Sequence, residues 1–162
     1  MILNFQRRFV PMILDLSKGH TIRGERKDGK RPQPGEMLHL YTGLRQRGAE
    51  FILRAPCLRT EDFELFRDPR DEVRTKTGTL IYGPVKVRVA GVLLDASEQD
   101  SLAWADGFRY HDSWKAGEPA PSDLTPGCFN LMMQFWSGRP LPFRGWITYW
   151  DTSKAKFERK AA

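Results

Sequence analysis

Only two cysteines, Cys57 and Cys128, occur in the chain, and they form no Cys-x-x-Cys pair. Their separation excludes a zinc ribbon and a thioredoxin-type redox motif, and Cys57 has no neighbouring histidine to activate it as a nucleophile. Both thiols are expected to be reduced and partly buried. The three histidines, His20, His39 and His111, lie in separate segments, so neither a metal site nor a cofactor is expected. No apolar run approaches the roughly 20 residues that span a bilayer. The opening Met1–Arg8 places its charges after its apolar residues, the reverse of a secretory signal. A soluble, cytoplasmic protein without a membrane partner is the expectation. No internal repeat is present, and nothing in the sequence fixes an oligomeric state.

What the chain does contain is a basic surplus, 26 Lys and Arg against 20 Asp and Glu, for a net charge of +6. Residues 1–54 carry eleven basic against five acidic side chains, residues 55–106 seven against ten, and residues 107–162 eight against five. The N-terminal surplus gathers around Lys18–Arg23, in Arg26, Lys27, Lys30, Arg31, Arg45 and Arg47. Such a face is either merely solvated or the electrostatic footprint of polyanion binding. Its position beside the motif described below favours the second reading. With 162 residues, 40% of them hydrophobic, the chain suits one domain with its own core rather than a disordered segment.

Apolar spacing predicts a first strand over Ile2–Phe5 and a helix over Val10–Leu16, with Pro11 in its first turn and Gly19 available as a left-handed stop. Strands are expected at His20–Arg23, Met37–Tyr41 and Glu50–Arg54, with a basic, glycine-containing loop over Gly24–Gly35. The charged stretch Glu61–Lys76 reads as a solvated excursion. Val85–Leu94 alternates valine with basic residues, a half-buried strand with a basic outer face. Ser97 can cap a helix that runs to Asp106 and stops at Gly107. After a proline-rich loop over Ala116–Gly127, Phe129–Trp136 has helical spacing. Phe143–Trp150 is a strong strand that can pair with an early one, and Lys154–Lys160 is a frayed basic tail. The pattern is α+β, a small β-barrel with two or three short helices. Residues 1–152 form its single domain, insertions fall near 59–78 and 112–127, and residues 153–162 form the tail.

The densest motif is Ser17-Lys18-Gly19-His20-Thr21-Ile22-Arg23, followed by Gly35-Glu36 and by Leu40-Tyr41-Thr42-Gly43-Leu44-Arg45. In a strand, Thr21 and Arg23 share one face and His20 and Ile22 the other. This order of elements, together with Asp106-Gly107-Phe108, resembles the ASCH family of the PUA-like superfamily, in particular its phage and prophage branch. The resemblance extends from Phe5 to about Trp150 and implies a PUA-like barrel. It also implies binding of RNA or a modified nucleoside or nucleotide, with DNA as a possible partner.

Two chemistries suit these residues. In the first, a basic cleft binds nucleic acid: Lys18, Arg23, Arg26, Lys27, Arg31 and Arg45 meet phosphates, His20, Tyr41, Phe108 or Tyr110 stacks on a base, and Thr21 and Asp106 read polar edges. In the second, the resemblance implies an amidohydrolase that deacylates 4-acetylcytidine-type substrates with Lys18, Thr21 and Asp106. A desolvated lysine removes the threonine proton, the hydroxyl attacks the acyl carbonyl, and the carboxylate orients the lysine. Asp106 is one methylene shorter than the glutamate that the resemblance implies. Ribonuclease activity, also implied by the resemblance, calls on the same residue types.

Overall fold

The computed structural model describes residues 1–44, 48–109 and 127–157. Arg45, Tyr110 and most of the 112–127 segment therefore lie outside the described residues. In chain order the elements are β1 (Ile2–Phe5), α1 (Val10–Leu14), β2 (His20–Gly24), β3 (Met37–Thr42), β4 (Glu50–Arg67), β5 (Val73–Arg74), β6 (Leu80–Ile81), β7 (Val85–Val89), β8 (Val92–Leu93), α2 (Ala96–Ala105), α3 (Cys128–Trp136) and β9 (Phe143–Trp150). The fold is mixed α+β, a seven-stranded sheet with three short α-helices and a separate two-stranded ribbon.

The organising element is β4. Its first residues, Glu50–Pro56, pair antiparallel with β3, which pairs parallel with β1. Beyond a register shift between Cys57 and Arg59, β4 continues beside β9, and Phe63–Arg67 also pairs with β7. On the far side of β9 lies β2, with His20 opposite Tyr149 and Gly24 opposite Gly145. A path therefore runs β2-β9-β4-β3-β1, and β1 and β2 have no ladder between them. One side chain crosses this seam: Arg23 Nη2 donates to the Asn4 carbonyl at 2.7 Å. Leu3, Leu40, Leu53, Phe63, Leu65, Trp146, Ile147 and Trp150 form the centre of the core, each no more than 4% exposed.

Two stretches expected to be solvated are structured. Phe63 and Leu65 are buried within β4, so the excursion expected from Glu61 begins only at Asp68. The alternation Phe63-Glu64-Leu65-Phe66-Arg67 is that of a half-buried strand, masked by the charges on its outer face. The described part of the tail, as far as Phe157, is tied down through Lys156, which exchanges two backbone hydrogen bonds with Arg54 at 2.8 and 2.9 Å. The basic outer face expected on β7 is locally neutralised: Lys86 Nζ lies 2.7 Å from Asp71 and Arg88 Nη1 2.5 Å from Glu64.

Helix ends moved as well. α1 ends earlier than expected, and its left-handed residue is Leu16, at φ 64°, not Gly19. α2 starts from Asp95, whose carboxylate accepts from the Glu98 amide while Glu98 returns the bond to the Asp95 amide. This reciprocal box outcompetes the hydroxyl of Ser97. At the other end Gly107 adopts φ 95°, and the Phe108 amide reaches back to the Ala103 carbonyl at 2.9 Å, closing the helix as expected.

Candidate functional site

The seam between β1 and β2 holds a cavity of about 190 Å³. Lys18, Thr21, Arg23 and Asp106 line it together, although Lys18 and Asp106 are 88 positions apart. The path to each is local. After the left-handed turn at Leu16, the Lys18 amide bonds the Met12 carbonyl at 2.9 Å, which turns the lysine under α1. Asp106 is the C-terminal cap of α2, so the Gly107 stop aims its side chain at the seam. Since β2 pairs only with β9, its other edge is open, and the Ile22 amide there hydrogen-bonds the Asp106 carboxylate.

Lys18 Nζ donates both to Asp106 Oδ1 and to the Asp106 carbonyl, each at 2.5 Å. The shorter aspartate therefore reaches the lysine without the methylene of a glutamate. Lys18 is 1% exposed and Asp106 5%. Burial pushes the ammonium below the ordinary lysine range; Asp106 opposes this, while Arg23 and Arg109 reinforce it. Burial likewise raises the Asp106 carboxyl against the pull of Lys18 and Arg23. One buried carboxylate faces a buried lysine and a half-buried arginine, so the seam carries a positive excess that a bound anion would relieve.

Arg23 is held at the seam by Asn4 and by the Phe5 ring, 4.7 Å from its guanidinium carbon, while its Nε has no partner. Desolvation lowers its pKa to about 10. Thr21 and Arg23 share the cavity as alternation requires, but Ile22 reaches it too, from the open edge. His20 is buried beside it; its Nε2 lies 3.7 Å from Asp106 Oδ1, without a hydrogen bond, and its ring 5.2 Å from that of Tyr149. Burial and the neighbouring Lys18 and Arg59 lower its pKa to about 3, so it is neutral at physiological pH.

The other candidates are dispersed. Phe108 lines the cavity but is 3% exposed, packed edge-on to Phe9 at 5.7 Å, with the Arg8 guanidinium 5.0 Å from its ring. It is a wall of the site. Tyr41 packs on Phe51 at 5.3 Å and lines no part of the cavity. Arg26 chelates Asp28 at 3.0 and 3.1 Å, Arg31 bonds Asp62 and lies 3.6 Å from Glu25, and exposed Lys27 stays on the same loop. None of these three lines the seam cavity.

Sequence reasoning missed the far wall, Phe135, Trp136 and Arg139, contributed by α3 and the residues after it. Asp100 of α2 fixes the start of α3 by accepting from the Phe129 amide at 2.8 Å. That distant cap carries Arg139 to the cavity, and no pattern near Lys18 announces it. Among the described residues no cluster of three or more His, Cys, Asp or Glu could hold a metal, and no helix is long and apolar enough to cross a membrane. No family model, no curated protein and no solved structure matches the chain.

Proposed function

We propose that the chain is an ASCH-type, PUA-like domain whose seam cavity binds the base or sugar–phosphate of RNA or of a modified nucleotide. The observation that carries this reading is the convergence of Lys18, Thr21, Arg23 and Asp106 on one small cavity at an unpaired strand edge. A volume of about 190 Å³ is below the roughly 300 Å³ of drug-sized sites, which limits the ligand to one ring or one small anion at a time. Arg23 and Lys18 supply positive charge for phosphate, Thr21 a hydroxyl for a polar edge, and the aromatic wall an apolar face. The PUA-like barrel is part of the same proposal: the β2-β9-β4-β3-β1 path curls so that Arg23 reaches Asn4 where a further ladder would close it.

A hydrolytic second reading draws on one specific observation, the contact of a desolvated Lys18 with Asp106 in a cavity that Thr21 also lines. An amine with a lowered pKa takes the Thr21 proton as the hydroxyl attacks the acyl carbonyl, while Asp106 orients the lysine. The amide C–N bond breaks as Lys18 returns that proton to the departing N4 amine, and water then hydrolyses the Thr21 acyl ester to free acid. The deciding experiment incubates wild type, Lys18→Ala and Thr21→Ala with 4-acetylcytidine and follows cytidine and acetate by chromatography, alongside equilibrium binding of the same nucleoside. Binding without product supports the binding module. Product that requires both Lys18 and Thr21 supports the hydrolase, and absence of both binding and product overturns the seam as a nucleotide site.

A further inference from the structure

Beyond the seam, Arg139 and Trp136 line a second, larger groove of about 510 Å³. Its far side is Arg67, Tyr82 and Leu141, against a floor of Leu65 and Phe143. The two concavities thus share a wall, and the shared residue with a formal charge is Arg139. We infer that this groove is a second nucleotide subsite, so that the ligand is a single-stranded oligonucleotide whose phosphodiester crosses at Arg139 between a base in the seam and a base against Tyr82. This inference rests on the reading of the seam as a nucleotide site.

Three observations carry it. First, the charge is of one sign: Arg67 and Arg139 are exposed and have no carboxylate partner among the described residues, whereas Arg26, Arg31 and Arg88 all have one. Seam and groove together present Lys18, Arg23, Arg67 and Arg139 against Asp106 alone. Second, each exposed arginine lies over an aromatic ring: Arg139 is 5.4 Å from Trp136 and 5.7 Å from Phe143, and Arg67 is 5.2 Å from Tyr82. A guanidinium held on a ring keeps its N–H edge available to a phosphate, and a ring beside it offers a face to a base. Third, Tyr82 is 55% exposed and Leu141 37%, an apolar surface large enough for an unstacked base. An acidic peptide would satisfy the charge but has no use for the ring.

Fluorescence anisotropy with labelled RNA homo-oligomers of about eight nucleotides, a length within single-strand site sizes, tests the inference against the four nucleoside 5′-monophosphates measured by calorimetry. Wild type is expected to bind at least one oligomer about tenfold or more tighter than its monophosphate. Arg67→Gln and Tyr82→Ala, both outside the seam, should each cost the oligomer about fivefold or more and leave the monophosphate unchanged, and Arg67→Gln should lower the salt slope by about one ion. Both positions are exposed, so these variants keep the fold, which thermal melting verifies. Equal affinity for monophosphate and oligomer, or indifference of the oligomer to both variants, overturns the second subsite while leaving the seam intact. Failure of monophosphates and oligomers alike overturns both. Competition by polyglutamate as strong as by RNA overturns the subsite in favour of an acidic-protein surface.

Discussion

Lys18 sits 1% exposed against a single carboxylate, whereas Arg31, 36% exposed, lies between two, Asp62 and Glu25. The seam and the Gly24–Gly35 loop contain the same residue types and handle charge in opposite ways. In the loop, cations and carboxylates meet in water, where each pair is worth little and salt screens it. In the seam, charges are desolvated, a cation remains in excess, and the fold has positioned them with backbone bonds to Met12, Asn4 and the Ile22 edge. A cluster of basic residues along a sequence is therefore a poor guide to where uncompensated charge resides; burial is the better one.

The sharpest way to break the contrast is to remove one seam charge. Lys18→Met leaves Asp106 buried without its cation and should destabilise the fold by about 3–5 kcal/mol, read by urea denaturation. The double variant Lys18→Met with Asp106→Leu should recover most of that loss, because an apolar pair needs no compensation. Next in size is Gly145→Ala. A Cβ there would fall 1.9 Å from the Arg23 carbonyl oxygen and 3.0 Å from Gly24 Cα, so β2 must move off β9. A cost of about 3 kcal/mol, the upper end for overpacking, should accompany weakened nucleotide binding, since Arg23 moves with β2.

A pH series separates the two regions by linkage. His20 titrates near 3 when folded against about 6.5 when unfolded, so the unfolded chain binds the proton more tightly between these values. Its contribution is fully present above about pH 6.5 and is lost as pH falls towards 3, at up to about 1.4 kcal/mol per pH unit. Melting from pH 7 to pH 4 should show this slope in wild type and a shallower one in His20→Gln. The smallest effect belongs to the loop: Arg26→Gln with Lys27→Gln should change stability by less than about 0.5 kcal/mol and leave monophosphate binding unaltered.

Much of the architecture was legible because local patterns decide it. β1, β2, β3 and β9 lie where alternation predicts them, and Gly107 ends α2 in the left-handed conformation that its missing Cβ permits. Thr21, Arg23 and Asp106 reach one cavity as the motif implied. What stayed hidden depends on partners far along the chain. Phe63 and Leu65 are core residues only because β9 and β7 flank them, and their charged neighbours conceal the alternation. Trp136 and Arg139 reach the seam through α3, which Asp100 caps and whose Cys128 and Met132 pack into the core. His20, Tyr41 and Phe108, expected to stack on a base, each pack against another aromatic ring of the fold.

The most direct test of the seam as the binding site is the affinity of RNA homo-oligomers and nucleoside monophosphates for Arg23→Lys, Arg23→Gln and the Arg26→Gln/Lys27→Gln loop variant across a salt series. Arg23→Lys retains a cation at the seam and shows whether any loss is one of charge or of the bond to Asn4. Arg23→Gln is expected to lose about tenfold or more in affinity for both ligands and about one ion of salt slope, while the loop variant keeps wild-type affinity for the monophosphates. Loss of monophosphate binding in the loop variant, with Arg23→Gln unaffected, would contradict the seam as the binding site.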